Sequence, residues 1–91
     1  MDVKIDQFFR SNGSLIKIPA RSKKKEAVLN RIATNFAPGA KYPENAVNEI
    51  IASIHPDTAA IRRYLIDFGI LERDSSSVYW LSESYLPLHD N

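Results

Sequence analysis

The stretch His55-Pro56-Asp57-Thr58-Ala59-Ala60-Ile61-Arg62-Arg63-Tyr64-Leu65-Ile66-Asp67-Phe68-Gly69-Ile70-Leu71-Glu72-Arg73 decides the fold. Ile61, Tyr64, Leu65 and Phe68 recur at the spacing of one helical face, which predicts a helix from Pro56 or Asp57 to Phe68. At about 100° per residue, Ala59, Arg63 and Ile66 point most directly outward and Arg62 lies on the flank. Gly69 suits the left-handed backbone that closes a helix. Ile70 to Arg73 then reads as a strand, Asp74-Ser75-Ser76-Ser77 as a turn, and Val78-Tyr79-Trp80-Leu81 as the returning strand. A helix running straight into a hairpin is the outer half of a winged helix-turn-helix.

The segment before it completes that order. Pro43 opens a second helix, because a proline at the first helical position gives up no hydrogen bond. Glu44 follows, favourably placed for the helix dipole. Val47, Ile50, Ile51 and Ile54 form its buried stripe, and the proline at position 56 disfavours helical angles at His55. His55 is expected to close the turn between the two helices. Upstream, Val28, Leu29, Ile32, Ala33 and Phe36 mark the inner face of a first helix, expected from Ser22, its N-cap, to Phe36, with Pro38-Gly39 stopping it. Leu15, Ile16 and Ile18 suggest a short strand ended by Pro19. Val3, Ile5, Phe8 and Phe9 suggest an N-terminal helical arm with an apolar side. The expected fold is thus α+β: a small winged helix-turn-helix of three core helices and a C-terminal β-hairpin, preceded by a helical arm and a short strand. A chain of 91 residues is expected to be one domain. Its arm spans 1–20, its core 21–81 and a flexible tail 82–91.

Composition narrows the function classes. The hydrophobic fraction of 44% and the charged fraction of 25% are those of an ordinary globular protein. With no cysteine there is neither a disulfide framework nor a thiolate metal site. No basic segment leads into an apolar run near the N-terminus, and no apolar run approaches the ~20 residues of a membrane span. The expectation is a cytoplasmic protein without a membrane partner. The net charge of +1 hides an asymmetry. Arg10, Lys17, Arg21, Lys23, Lys24, Lys25, Arg31 and Lys41 face only Glu26 between positions 10 and 41. From Tyr42 onward Arg62, Arg63 and Arg73 are outnumbered by Glu44, Glu49, Asp57, Asp67, Glu72, Asp74, Glu83 and Asp90. Such a split supports a positive face on a nearly neutral molecule, and a local field of that kind attracts polyanions.

The run from Ile18 to Leu81 resembles the bacterial family known as domain of unknown function 2087. The resemblance is carried by Ile18-Pro19-Ala20 with the basic run after it, by Tyr42-Pro43-Glu44-Asn45-Ala46-Val47-Asn48-Glu49-Ile50, by His55-Pro56-Asp57, by Ile61 to Arg73, and by Tyr79-Trp80. Members of that family occur alone or joined to helix-turn-helix regulators. The first arrangement implies a small DNA-binding protein. The second implies a module that senses or binds something for a neighbouring DNA-binding domain. The turn from Asp74 to Ser77 is short and carries no lysine or arginine, unlike a usual basic wing.

The candidate site follows from the helix after His55. Arginine bonds bidentately to guanine edges or clamps phosphates, so Arg62 and Arg63 are candidate nucleic-acid contacts. Their bland alternative is a solvated face paired with Asp57 or Asp67 at helical spacing. Thr58 and Ala59 sit at the helix start, where base edges are usually approached. Arg21, Lys23, Lys24 and Lys25 suit a phosphate backbone or simply a solvated face. Tyr79 and Trp80 alternate across a strand, and the core is the favoured place for Trp80. An exposed aromatic there, or Phe8 and Phe9 on the arm, offers a homodimer interface. His55 and His89 lack a second ligand at metal-binding spacing, and neither a nucleophile elbow nor a phosphate loop is present, so no metal, no cofactor and no enzymatic activity are expected. The expected function is a DNA-binding transcriptional regulator with double-stranded DNA as partner. The alternative is a non-enzymatic protein-interaction or sensor module whose acidic residues Glu72 and Asp74 flank the wing and favour a basic protein partner.

Overall fold

A computed structural model describes residues 4–83. After a single 3-10 turn at Asp6–Phe8, the elements in chain order are α1 (Ser22–Ala33), β1 (Tyr42–Pro43), α2 (Glu44–Ala52), α3 (Thr58–Asp67), β2 (Leu71–Arg73) and β3 (Val78–Leu81). The three strands form one antiparallel sheet in the order β1-β3-β2. The result is a small α+β domain of three helices and a three-stranded sheet, an arrangement compatible with a winged helix.

One apolar cluster holds these elements together. Val28, Leu29, Ile32, Ala33 and Phe36 come from α1 and its exit, and Val47, Ile51 and Ile54 from α2 and the turn after it. Ile61 and Leu65 come from α3, and Ile70, Leu71, Tyr79 and Leu81 from the hairpin. The helical spacings read from the sequence therefore mark the inner faces of all three helices. Tyr64, Phe68 and Ile50 pack at the margin of this core.

Both ends of α3 are closed: the far end at Gly69, as expected, whereas the helix starts only at Thr58 because Asp57 caps it. Asp57 is the N-cap, its Oδ1 accepting from the Ala60 amide at 3.2 Å. The Asp57 amide in turn donates to His55 Nδ1 at 3.0 Å, so His55 does close the turn. At the far end Gly69 takes φ +72°. Its amide donates to the Ile66 carbonyl and the Ile70 amide to the Leu65 carbonyl, the paired closure of a Schellman motif. In the hairpin, Asp74 Oδ1 accepts from the amides of Ser76 at 2.8 Å and Val78 at 3.1 Å, which builds its tight turn.

Several expectations are corrected. Leu15 to Ile18 is not a strand: only an isolated bridge joins Phe9 and Leu15. The Leu15 amide is drawn to the Ile54 carbonyl at 2.8 Å, and Pro19 has no amide to continue a ladder. Ser22 is not the N-cap of α1 but its first residue, with Arg21 in the cap position and no side-chain cap. That helix stops at Ala33, because Thr34 Oγ1 and Asn35 Nδ2 bond back to the carbonyls of Arg31 and Ile32 and compete with its continuation. Pro43 is the N-cap of α2 and the last residue of β1, a strand not expected from the sequence. Pro43 opposes Val78 at the sheet edge, where a missing donor is tolerated.

The aromatic residues are also redistributed. Tyr79, not Trp80, is the core residue, 1% exposed. Trp80 lies on the other sheet face, half-buried, with the Lys41 ammonium 4.9 Å from its ring centroid. Phe8 is in the core, and Phe9, partly buried, packs against it under the Arg31 guanidinium. Ser82, expected in the tail, is buried, its amide bonded to the Ile70 carbonyl. The rest of the expected tail, from residue 84, lies outside the described residues.

Ile61 is completely buried between the helices. Ile61→Ala is expected to lower stability by about 2–5 kcal/mol, seen as a lower urea midpoint with an unchanged slope. A Cβ at Gly69 meets nothing within 4 Å. Gly69→Ala therefore tests backbone conformation alone, with an expected loss of about 1–2 kcal/mol in the same assay.

Candidate nucleic-acid interface

The outer face of α3 and the hairpin beside it enclose an open groove of about 450 Å³, lined by Ala59, Arg62, Arg63, Ile66, Asp67, Arg73 and Tyr79. Its position follows from the chain order. Gly69 turns the backbone out of α3 and directly into β2, so hairpin and helix lie side by side. Strand alternation supplies the third arginine: Leu71 points into the core, Glu72 away from it, and Arg73 back toward the helices. Arg73 sits opposite Tyr79 in the sheet register. Its guanidinium lies 5.7 Å from the Tyr79 ring and bonds to the Asp74 carbonyl and Ser77 Oγ.

The two arginines singled out in α3 have different fates. Arg63 is in solvent, its side chain 81% exposed, with Nε 3.7 Å from Asp67 Oδ2 one turn on. Arg62, expected on the exposed flank, is tucked against α2 and only 21% exposed. Its Nη1 donates to Asn48 Oδ1 and its Nη2 lies 3.8 Å from Glu44 Oε2. The helical wheel gave its direction correctly. It could not show that the start of α2 lies on that flank and supplies two acceptors four residues apart.

The remaining candidates divide. Ala59 is exposed in the groove, while Thr58 is half-buried at the start of α3. None of Arg21, Lys23, Lys24 and Lys25 lines the groove. Lys25 reaches α3 from the side, its ammonium 4.3 Å from the Tyr64 ring centroid. Lys24 turns instead to Phe8, at 6.0 Å. Arg21 and Lys23 are exposed. The basic run is therefore split between two neighbours and borders α3 through Lys25. Arg73 is the groove residue the sequence reading missed. A period of two counted from the apolar Leu71 would have found it.

Glu44 ties the groove wall together. Its Oε1 accepts from the Tyr79 hydroxyl at 2.8 Å while Oε2 faces Arg62. Burial pushes the Tyr79 phenol above its ordinary value of 10.0, and the hydrogen bond to Glu44 and that carboxylate's charge add to the rise. Arg62 and Arg73 pull the other way. Among the described residues, three guanidinium groups and one carboxylate, that of Asp67, line the groove, a balance that suits an oxyanion. Among the described residues no group of three or more histidine or acidic side chains is placed to hold a metal ion. Among the described residues no helix is long and apolar enough to cross a membrane.

Fold and groove together define a small three-helix domain with an arginine-lined cleft between its last helix and its hairpin. Residues 14–81 match the family described as an uncharacterized protein conserved in bacteria (DUF2087), and the chain belongs to that family. No curated protein and no solved structure matches the chain.

A phenol whose folded-state pKa is raised contributes stability that is complete below the unfolded value and is lost as pH rises past it. Tyr79→Phe is expected to lower stability by about 0.5–1.5 kcal/mol at neutral pH. The gap between the two proteins should narrow above about pH 10, as read from urea midpoints at neutral and alkaline pH.

Proposed function

We propose that this protein is a DNA-binding transcriptional regulator of winged-helix type, working in the bacterial cytoplasm by binding and not by catalysis. Its partner is double-stranded DNA, with α3 directed at the major groove and the backbone taken by the cleft between α3 and the hairpin. The observation that carries this reading is the convergence of Arg62, Arg63 and Arg73 on one cleft beside an exposed helix face. Lys25 against Tyr64 extends positive charge along a second side of α3. Arg63 and Arg73 supply the primary phosphate contacts, since Arg62 is already engaged by α2. The wing lacks a basic tip, but Arg73 at its base takes that role.

A second reading, a protein-interaction module, draws on the outer face of the sheet. There Trp80 pairs across the strands with exposed Glu72. Asp74, exposed at the hairpin turn with one carboxylate oxygen accepting from the Ser76 and Val78 amides, keeps its negative charge beside that face.

Fluorescence anisotropy with a labelled duplex of mixed sequence decides between them. The expected result is binding at ~50 mM salt that weakens linearly on a logarithmic scale as salt rises. Arg63→Ala and Arg73→Ala should each weaken binding by up to about eightfold near 0.1 M salt and reduce the salt slope by about 0.9, the effect of one lost phosphate contact. Absence of duplex affinity at low salt, together with a purified protein partner whose binding is lost in Trp80→Ala, would overturn the DNA reading.

A further inference from the structure

We propose that Glu44 acts as a resident counter-anion for the cleft, occupying Arg62 in place of a phosphate and thereby setting how tightly the cleft takes one. This rests on the DNA-binding reading for its macromolecular partner, but its chemistry concerns any phosphate.

Four groups from three elements make the device. Glu44 and Asn48 stand one turn apart on the edge of α2 that faces α3. Asn48 Oδ1 accepts from Arg62 Nη1, and Glu44 Oε2 lies 3.8 Å from Nη2. Two adjacent nitrogens of the guanidinium thus meet two acceptors, much as they would meet two oxygens of one phosphate. The Glu44 carboxylate is itself held, because Tyr79 donates to its other oxygen at 2.8 Å from the β3 side. Tyr79 is nearly sealed from solvent, so this anchor is steady.

The placement of the charges gives the device its direction. Arg62 and Tyr79 line the cleft, whereas Glu44 does not. The carboxylate meets Arg62 from the α2 side and competes with the cleft for its guanidinium. Among the described residues, Arg63 is paired with exposed Asp67, and Arg73 with a carbonyl and a hydroxyl of the hairpin turn, with no carboxylate behind either. An arriving phosphate meets those two first. It engages Arg62 only by competing with Glu44. Neutralising Glu44 while keeping its shape releases Arg62 and adds one effective cation to the cleft. A purely structural role for Glu44 predicts the opposite sign, since loosening the wall would weaken binding.

The test uses Glu44→Gln, which retains an acceptor for Tyr79, and Asn48→Asp, which adds a second carboxylate against Arg62. Duplex binding by anisotropy is expected to tighten about three- to eightfold in Glu44→Gln near 0.1 M salt, with a salt slope steeper by about 0.9. Asn48→Asp is expected to weaken it. The gain should vanish when Glu44→Gln is combined with Arg62→Ala. Equal or weaker binding by Glu44→Gln, or an undiminished gain without Arg62, would overturn the inference. A second probe separates this from the DNA reading: inorganic pyrophosphate, followed by the arginine Nε–H resonances in NMR spectra. The Arg62 resonance should respond at lower pyrophosphate concentration in Glu44→Gln than in the unmodified protein. That response without any duplex affinity supports the Glu44 inference and rejects the DNA reading. An Arg62 resonance indifferent to pyrophosphate in both proteins rejects the Glu44 inference itself.

Discussion

The hydroxyl of Tyr79 reaches from the middle of the sheet to the first residue of α2, and the arrangement of the cleft depends on that bond. The ring is fixed first, by its place in the core between the paired residues Tyr42 and Arg73. With Tyr79 facing the helices, alternation sends Trp80 to the opposite face and leaves Arg73 beside the ring. With the phenol bonded to Glu44, that carboxylate is oriented toward α3 and collects Arg62. A buried hydroxyl left without its acceptor carries a cost of about 1–3 kcal/mol. The same bond that keeps this sheet register satisfied therefore also arranges the charges.

Much of the fold was legible because its helices bury one face each and end on strong local signals. The stripe Ile61, Leu65 and the closing Gly69 specify the body and end of α3 without help from elsewhere, while its start, set by the Asp57 cap, lies one or two residues later than the spacing suggests. The spacing of Val28, Leu29, Ile32 and Phe36 does the same for the inner face of α1, although Thr34 and Asn35 end that helix before Phe36. What escaped was everything decided by neighbours distant in sequence. β1 has two residues and so no periodicity to read. It is held in place from outside, by Tyr42 stacking edge-on against Phe36 at 5.2 Å and accepting from the Ala37 amide. The choice between Tyr79 and Trp80 could not be made from alternation alone, since either register of β3 satisfies it. The expected strand at Leu15 failed for a related reason: its partner turned out to be a carbonyl at the end of α2.

The candidate site divides along the same line. The direction of Arg63 follows from helix geometry, and the structure keeps it. The state of Arg62 depends on a crossing helix, which no wheel diagram contains. The basic run from Arg21 to Lys25 was legible as charge but not as placement. Aromatic rings on two different elements hold Lys24 and Lys25 apart. A chain with a net charge of only +1 thus gathers three arginines at one cleft by folding, not by composition.

The junction between α3 and β2 contains only Phe68, Gly69 and Ile70, and each is committed. The amides of all three bond back to the last turn of the helix, and the Ile70 carbonyl holds Ser82 beyond the end of β3. Helix and hairpin are thereby the two fixed jaws of a clamp whose hinge has been locked. A change in the angle between them strains the bonds that close the helix. Under the DNA-binding role proposed above, adjustment on association would therefore fall on the duplex, and a bendable one would be favoured over a stiff one of the wrong breadth.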